Sequence, residues 1–463
     1  MNDAPRAADG RPARLPLRTK LGFGIYDLGG NLFFTAMGFF TMSYLTDTVG
    51  IGAVAAGTVF LVGKIWDAVI DPFIGYLSDR TRSRWGRRRP YIIFFSVPLM
   101  FAMWLFYTNL HIESPIWAAI WATFALCLLN TVYSFTNITY SALTPELTQD
   151  YHERSSLNGY RFGFAAFGTI IGASAVLPIV GLFKTRDAGF SAAGLVLGAV
   201  MAITALITGF SVKEPKDIEV KATDEGFLKT YLAVFRDRPY VIILLTYALH
   251  LTALNSVQGT LVYYFKYLYK NEGATTIAMI ILLLVALPFI PISIFVSKRA
   301  GKKLTYQFSL VSLALSCMAI FLFGHRLGVN FFYAMMALAG VGFGFGYVPP
   351  FAMVPDAVEH DAITTGKRKE GSFYGMWTFV STLGISLSGF IIGATLNLTG
   401  YVANVAEQLP STIFGIRLLV GPIPTVIFLA SAALVQFYPL DEKAYSALIA
   451  EAKAEPAFAG RAE

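Results

Sequence analysis

Two aspartates one helical turn apart carry the clearest chemistry in this chain. They lie in Lys64-Ile65-Trp66-Asp67-Ala68-Val69-Ile70-Asp71-Pro72, with apolar sequence on both sides. At i,i+4, Asp67 and Asp71 share one face of a helix. A carboxylate at mid-bilayer costs about 2.5–3.5 kcal/mol even on the lenient insertion scale, and intramembrane carboxylates are functional by default. Two of them repel, so something must offset the charge: a bound cation, a shared proton or a basic neighbour. Lys64, at i,i+3 from Asp67, can be that neighbour. So can Arg161, a lone cation in its own apolar run. The residues leave a cation site and a plain ion pair both open, and the two are compatible if an ion displaces the basic partner.

Other polar residues stand in neighbouring apolar runs. Asp27 and Asn31 are i,i+4 beside Tyr26, among glycines 22, 24, 29 and 30, which permit close helix approach. They read as the polar wall of a substrate cavity or as interhelical hydrogen bonding. The fourth run ends in Tyr133, Ser134, Thr136, Asn137, Thr139, Tyr140 and Ser141. Ser134, Asn137 and Ser141 align on one face, which suits a hydroxylated ligand, a cation's oxygen shell, or polar glue between helices. Arg161 has the planar donor fork to clamp substrate oxygens, or it is a fixed counter-charge to Asp67 or Asp71. Gly340, Gly342, Gly344 and Gly346 lead to Tyr347 and Pro349-Pro350, the pattern of a helix that packs tightly and then bends. Trp377, Thr378 and Thr382 offer an aromatic face with hydroxyls, as a sugar site or as packing. His250, Asn255 and Gln258 could line the same cavity. After the paired aspartates, Gly75 is expected to allow close packing. Asp79 with Arg80, Arg82, Arg84, Arg87, Arg88 and Arg89 is expected to form ion pairs that hold the cytoplasmic side shut, beyond mere anchoring.

These residues need a membrane around them. Of 463 residues, 55% are hydrophobic and 14% charged, and the mean hydropathy is +0.58. A soluble globule could not hide that much apolar surface, so a soluble enzyme is excluded. Cys127 and Cys317 lie in apolar runs, which excludes a disulfide framework, and no histidine stands at metal-ligand spacing from another. No cofactor is expected beyond a coupling ion. The runs predict twelve transmembrane helices in two six-helix halves, an all-α membrane protein. The spans are 22–46, 52–77, 91–110, 115–143, 158–183, 189–211, 239–265, 274–297, 304–324, 329–354, 372–396 and 413–438. The organisation follows: a disordered tail over 1–20, a first half over 21–211, a charged linker over 212–238, a second half over 239–438 and a tail over 439–463.

Charge sets the orientation. Of the 36 Lys and Arg, 28 fall in the tails and the even-to-odd connections, six fall on the opposite side, and Lys64 and Arg161 lie within spans. That asymmetry predicts cytoplasmic termini in a plasma (inner) membrane. It also accounts for the net +7 without nucleic acid. No Walker motif or selectivity-filter sequence points to a pump or a channel. Two six-helix halves joined by a charged linker suggest a major-facilitator-type secondary transporter. A non-transporting sensor or scaffold of the same shape would have no use for two buried aspartates.

Trp66-Asp67-…-Asp71-Pro72, the Arg-rich loop, and Thr365-Gly366-Lys367-Arg368-Lys369-Glu370-Gly371 together resemble the glycoside–pentoside–hexuronide:cation symporter family of the major facilitator superfamily. The resemblance runs from Leu21 to Tyr438. The general superfamily loop has one residue between its Asp-Arg and Gly-Arg-Arg; here Thr81 to Trp85 intervene, as in this family. It implies cation-coupled symport of a sugar or glycoside by alternating access, with substrate held centrally between the halves. Asp67, Asp71 and Ser134 match its cation site, for H+ or Na+. Ile70 replaces an asparagine that the melibiose carrier associates with sodium, which favours a proton. Arg161 and Thr378 match substrate-site residues, and Tyr347 stands where that carrier has a tryptophan. The carrier's two sugar aspartates fall at Gly29 and Asn137, and its span-11 glutamine and lysine at Trp377 and Thr382. Melibiose itself is therefore not expected. Tyr26, Asp27, Asn31, Asn137, Tyr140, Arg161, Tyr347, Trp377, Thr378 and Thr382 remain the substrate candidates. Asp79, Arg80, Arg87, Asp356 and Glu359 are the expected cytoplasmic gate, together with Lys367 to Glu370. The alternative substrate is an amphiphile such as a lysophospholipid, since animal relatives of the family resemble sodium–lysolipid symporters. A monomer in the bilayer is expected.

Overall fold

The computed structural model describes residues 15–147, 151–212, 234–365, 370–440 and 444, excluding the side chains of Asp79, Pro145, Glu146, Tyr151, His152, Arg154, Ser155, Glu370 and Gly371. The Asp79 side chain and Lys367 to Glu370 of the expected gate therefore lie outside the described residues. Among the described residues every regular element is a helix and there are no strands. In hydrocarbon each backbone N–H and C=O needs an internal partner, and a helix satisfies them within one segment.

The chain forms two compact units, Met1–Ala222 and Thr223–Glu463. The first contains α1 (Leu17–Gly24), α2 (Tyr26–Ser43) running into a π-helical turn (Tyr44–Val49), α3 (Ala53–Arg80), α4 (Arg89–Phe106), α5 (Pro115–Leu147), α6 (Tyr151–Ser174), α7 (Val176–Gly181) and α8 (Arg186–Ser211). The second contains α9 (Arg238–Tyr267), α10 (Ala274–Ala300), α11 (Lys302–Ala319) running into another π-helical turn (Ile320–Gly324), α12 (His325–Tyr347), α13 (Pro349–Thr365), α14 (Glu370–Leu398), α15 (Pro410–Val420) and α16 (Pro422–Gln436). Starts are set locally: the Asp237 carboxylate accepts from the Tyr240 amide at 2.8 Å, with Pro239 in the first turn of α9.

Every expected span has a helical counterpart, but the count of twelve is not reached by length and apolarity alone. Ten stretches meet that standard. The first expected span is broken at Ile25 into α1 and α2, and one stretch, Lys302–Thr365, runs through both the ninth and the tenth. Helix pairing repeats between the units. In the first, α2 packs on α6, α3 on α5, and α4 on α8; in the second, α9 packs on α14, α10 on α12, and α11 on α16. In span order these are the same three pairs in each unit, the signature of an internal repeat.

Glycines make several of these contacts. A Cβ at Gly340 or Gly344 would lie 2.5 and 2.7 Å from the carbonyl oxygens of Leu282 and Ala286 on α10. Gly342 and Gly346 meet Leu313 and Ser309 on α11 instead, so α12 is gripped on two faces. The bend after it is present: α12 stops at Tyr347 and α13 starts at Pro349. Gly75 is different from expectation. The nearest atom to a Cβ there is Ile138 Cγ2 at 3.9 Å, ordinary contact, because that turn of α3 stands off from α5.

Candidate functional site

In the first unit α3 brings Lys64, Asp67 and Asp71 to α5. Lys64 Nζ lies 3.3 Å from Asp67 Oδ2, and the Ser134 hydroxyl on α5 donates to Asp67 Oδ1 at 3.3 Å. Lys64 is 6% exposed, so its ammonium is held in the protein and not in lipid headgroups or water. Beside this pair, Asp71 Oδ1 is buried with no hydrogen-bond partner among the described residues. Asp67, Lys64 and the Ser134 hydroxyl are its polar neighbours. Three groups thus carry one positive and two negative charges, and a single monovalent cation closes the balance. Asn130, overlooked in the sequence, braces the same helix pair: its amide donates to the Gly63 carbonyl at 2.8 Å.

A second cluster forms where α2, α5 and α6 meet. Arg161 does not answer Asp67 or Asp71. It pairs with Asp27, Nε to Oδ2 at 2.7 Å and Nη2 to Oδ1 at 3.4 Å. Its Nη1 donates to Thr144 Oγ1 at 3.0 Å, and its guanidinium lies over the Tyr140 ring, 4.8 Å from the centroid. The Tyr140 hydroxyl donates to Asp27, and Tyr26 stacks on Tyr140 with centroids 4.0 Å apart while donating to Thr136 at 2.8 Å. So Tyr26, Asp27, Tyr140 and Arg161 come together as one network. Asn31 is only loosely tied to it: its amide donates back to the Asp27 carbonyl, not the carboxylate. Asn137 is half-buried on α5. Thr144 escaped notice, and Thr136 was noted without its partner, because a hydroxyl in an apolar run carries no signal of what it bonds.

The second unit holds the remaining candidates by themselves. Trp377 is buried and stacked on Tyr247, centroids 4.5 Å apart, and Tyr347 is part-exposed with its ring 6.4 Å from Phe351. Thr378 and Thr382 turn their hydroxyls to carbonyls of their own helix, those of Tyr374 and Thr378. Asn255 does the same to Leu251. His250 is buried with Nδ1 3.0 Å from the Tyr306 hydroxyl and Nε2 unpartnered among the described residues.

Of the expected gate, Arg80 lies over the Tyr76 ring at 3.8 Å and Arg87 and Glu359 are half-buried. Asp356 pairs with Lys302 at 2.5 Å, a partner not foreseen, and Lys302 also donates to the Ala352 carbonyl at 3.0 Å. Another unforeseen contact is His360 Nδ1 to Asp237 Oδ2 at 2.6 Å. Burial pushes the Asp237 carboxyl above its ordinary value, against the pull of the Tyr240 amide and His360. Among the described residues no group of three His, Cys, Asp or Glu could hold a metal ion.

Two units of the same helix pairing, with half-buried carboxylates inside spans, define a polytopic membrane transporter. The family model described as MFS/sugar transport protein matches residues 22–442, and the chain belongs to that family. A putative sulfoquinovose importer of Salmonella typhimurium is 29% identical, over 95% of this chain and 93% of its own length. The glucuronide carrier protein homolog of Escherichia coli is 28% identical over 95% and 96%. The isoprimeverose transporter of Lactiplantibacillus pentosus is 28% identical over 92% and 90%. Among solved structures, a mutant of the nucleoside transporter NupG matches with a TM-score of 0.67 at 15% identity, over 90% of this chain and 99% of its own. A bacterial homologue of the human lysosomal transporter Spinster matches with 0.65 at 13%, over 95% and 98%. At such identities these two report the fold. The chain is a major-facilitator transporter of the sugar type, and the family expected from its motifs is the one found.

Proposed function

We propose that the protein is a symporter that couples movement of a sugar or glycoside to one monovalent cation, H+ or Na+, bound at Asp67 and Asp71, by alternating access. The observation that carries this is the uneven charge at α3: Lys64 answers one aspartate, and a buried oxygen of the other has no partner among the described residues. Either ion completes that set. A proton binds one carboxylate outright, and sodium takes the oxygens of Asp67, Asp71 and Ser134. Ile70 supplies no further oxygen, which favours the proton. Substrate contacts in the first unit are assigned to the Asp27–Arg161–Tyr140 network, and Lys302–Asp356 to the cytoplasmic side. The relatives' names support a small sugar-type substrate, some bearing an acid group and one, isoprimeverose, uncharged. The orientation supported by charge is cytoplasmic termini in the inner membrane.

Purified protein in liposomes tests the coupling. Asp67→Asn and Asp71→Asn are each expected to abolish accumulation driven by a proton or sodium gradient while leaving the protein folded. Full gradient-driven uptake by both variants would end the coupling assignment.

A further inference from the structure

Charge counting within the spans narrows the substrate. In the first unit five charged side chains lie within spans: Asp27, Lys64, Asp67, Asp71 and Arg161. Both cations are engaged: Arg161 by Asp27 through two contacts, at 2.7 and 3.4 Å, and Lys64 by Asp67 at 3.3 Å. In the second unit the described charges stand toward the span ends except Arg417, which lies inside Pro410–Gln436. There Lys302 and Asp356 answer each other, and Arg417 donates to the Phe321 carbonyl at 2.7 Å and the His325 ring at 3.1 Å. The spans of the first unit therefore carry one net negative charge, and the coupling cation brings it to zero. A charged group in a span is costly unless paired. A carboxylate or sulfonate on the substrate would restore the imbalance there, and at Arg161 it would meet a guanidinium whose charge Asp27 already answers.

An uncharged polyol brings no charge to offset. Asp27 accepts from hydroxyls, and a guanidinium has five N–H donors. Asp27 and Thr144 occupy three of them and Tyr140 also bonds the group, so what remains can meet a substrate hydroxyl. We infer that this transporter takes uncharged glycosides and rejects sugar acids, and that the Asp27–Arg161 pair enforces the choice. The inference rests on the symport reading above and adds the charge class of the substrate.

The test uses the full-length protein in liposomes at pH 7. The probes are methyl glucosides and galactosides, each set against its 6-carboxylate and 6-sulfonate counterpart, as competitors in counterflow and as ligands in thermal shift. The uncharged member of each pair is expected to act at concentrations at least about tenfold lower, a factor corresponding to 1.4 kcal/mol. Asp27→Asn frees Arg161 and is expected to move that ratio toward the charged member. Equal or better binding of the charged members by the unmodified protein would overturn the inference and leave the sugar reading standing. A ratio unmoved by Asp27→Asn in protein that still binds the uncharged probes would remove the pair from the selection. If no member of either class binds, the sugar reading itself falls, and the inference falls with it.

Discussion

At the scale of single residues, Lys64 decides how the paired aspartates behave. It is the cation nearest Asp67, and the oxygen it leaves unanswered on Asp71 is the feature on which coupling is argued. Lys64→Gln would leave two half-buried carboxylates with no fixed counter-charge. Removing one partner of a buried pair costs about 3–5 kcal/mol, so the variant is expected to melt well below the unmodified protein at high pH without sodium. Added protons or sodium should recover most of the loss, with a larger shift than in the unmodified protein, since a site of charge −2 binds cations more strongly than one of −1. Melting curves across pH and sodium concentration measure it; a loss that neither ion repairs would mean that Lys64 is only packing. Much of this was legible beforehand. The i,i+3 and i,i+4 spacing within one helix announces Lys64, Asp67 and Asp71 as neighbours. The partner of Arg161 was not announced, because Asp27 stands 134 residues away and only the packing of α2 on α6 joins them.

At the scale of elements, apolar runs marked the helices well, since a span needs a minimum length and charged loops bound it. Contacts between helices were harder to read, and the glycines show why. Gly75 and Gly344 look alike in the sequence, yet only Gly344 faces a carbonyl, that of Ala286 at 2.7 Å from a would-be Cβ. Gly344→Ala is expected to destabilise by about 1–3 kcal/mol, as overpacking does. Gly75→Ala is expected to be neutral or slightly stabilising, since alanine is the better helix former by about 0.5–1 kcal/mol and space is free. Thermal unfolding of the two variants in detergent gives the comparison; equal losses would contradict the packing. The start of α9 offers a pH test. Asp237 caps it and is buried beside His360, with its carboxyl raised. A raised carboxyl favours the fold when protonated, so that contribution is full below the ordinary carboxylate range and fades as pH rises through the raised value. Asp237→Asn keeps an acceptor for the Tyr240 amide and mimics the protonated state. The stability of the native protein relative to Asp237→Asn is therefore expected to fall as pH rises, whereas Asp237→Ala should lose about 1 kcal/mol of capping at every pH.

At the scale of the whole molecule, the repeat and the charge distribution say different things. The two units share one scheme of helix pairing, yet the paired aspartates Asp67 and Asp71 belong to the first unit. The loop charges are distributed by another rule. Cationic side chains resist translocation, so an excess of Lys and Arg in short loops stays cytoplasmic. In the orientation expected from the sequence, 28 Lys and Arg lie on one face against six on the other, so reversal would require many more cations to cross. The proposed orientation predicts that Ser83, in the arginine-rich loop after α3, is cytoplasmic, and that Asn404, between α14 and α15, is on the outer side. Cys127 and Cys317 are the native cysteines. Changing both to serine gives a background in which Ser83→Cys and Asn404→Cys can be followed one at a time with a membrane-impermeant maleimide. Asn404→Cys should label in intact cells, while Ser83→Cys should label only after permeabilisation. The reverse pattern would mean that the loop cations do not set the orientation of this chain, and the arginines around Ser83 would then need to be read as a gate on the outer face.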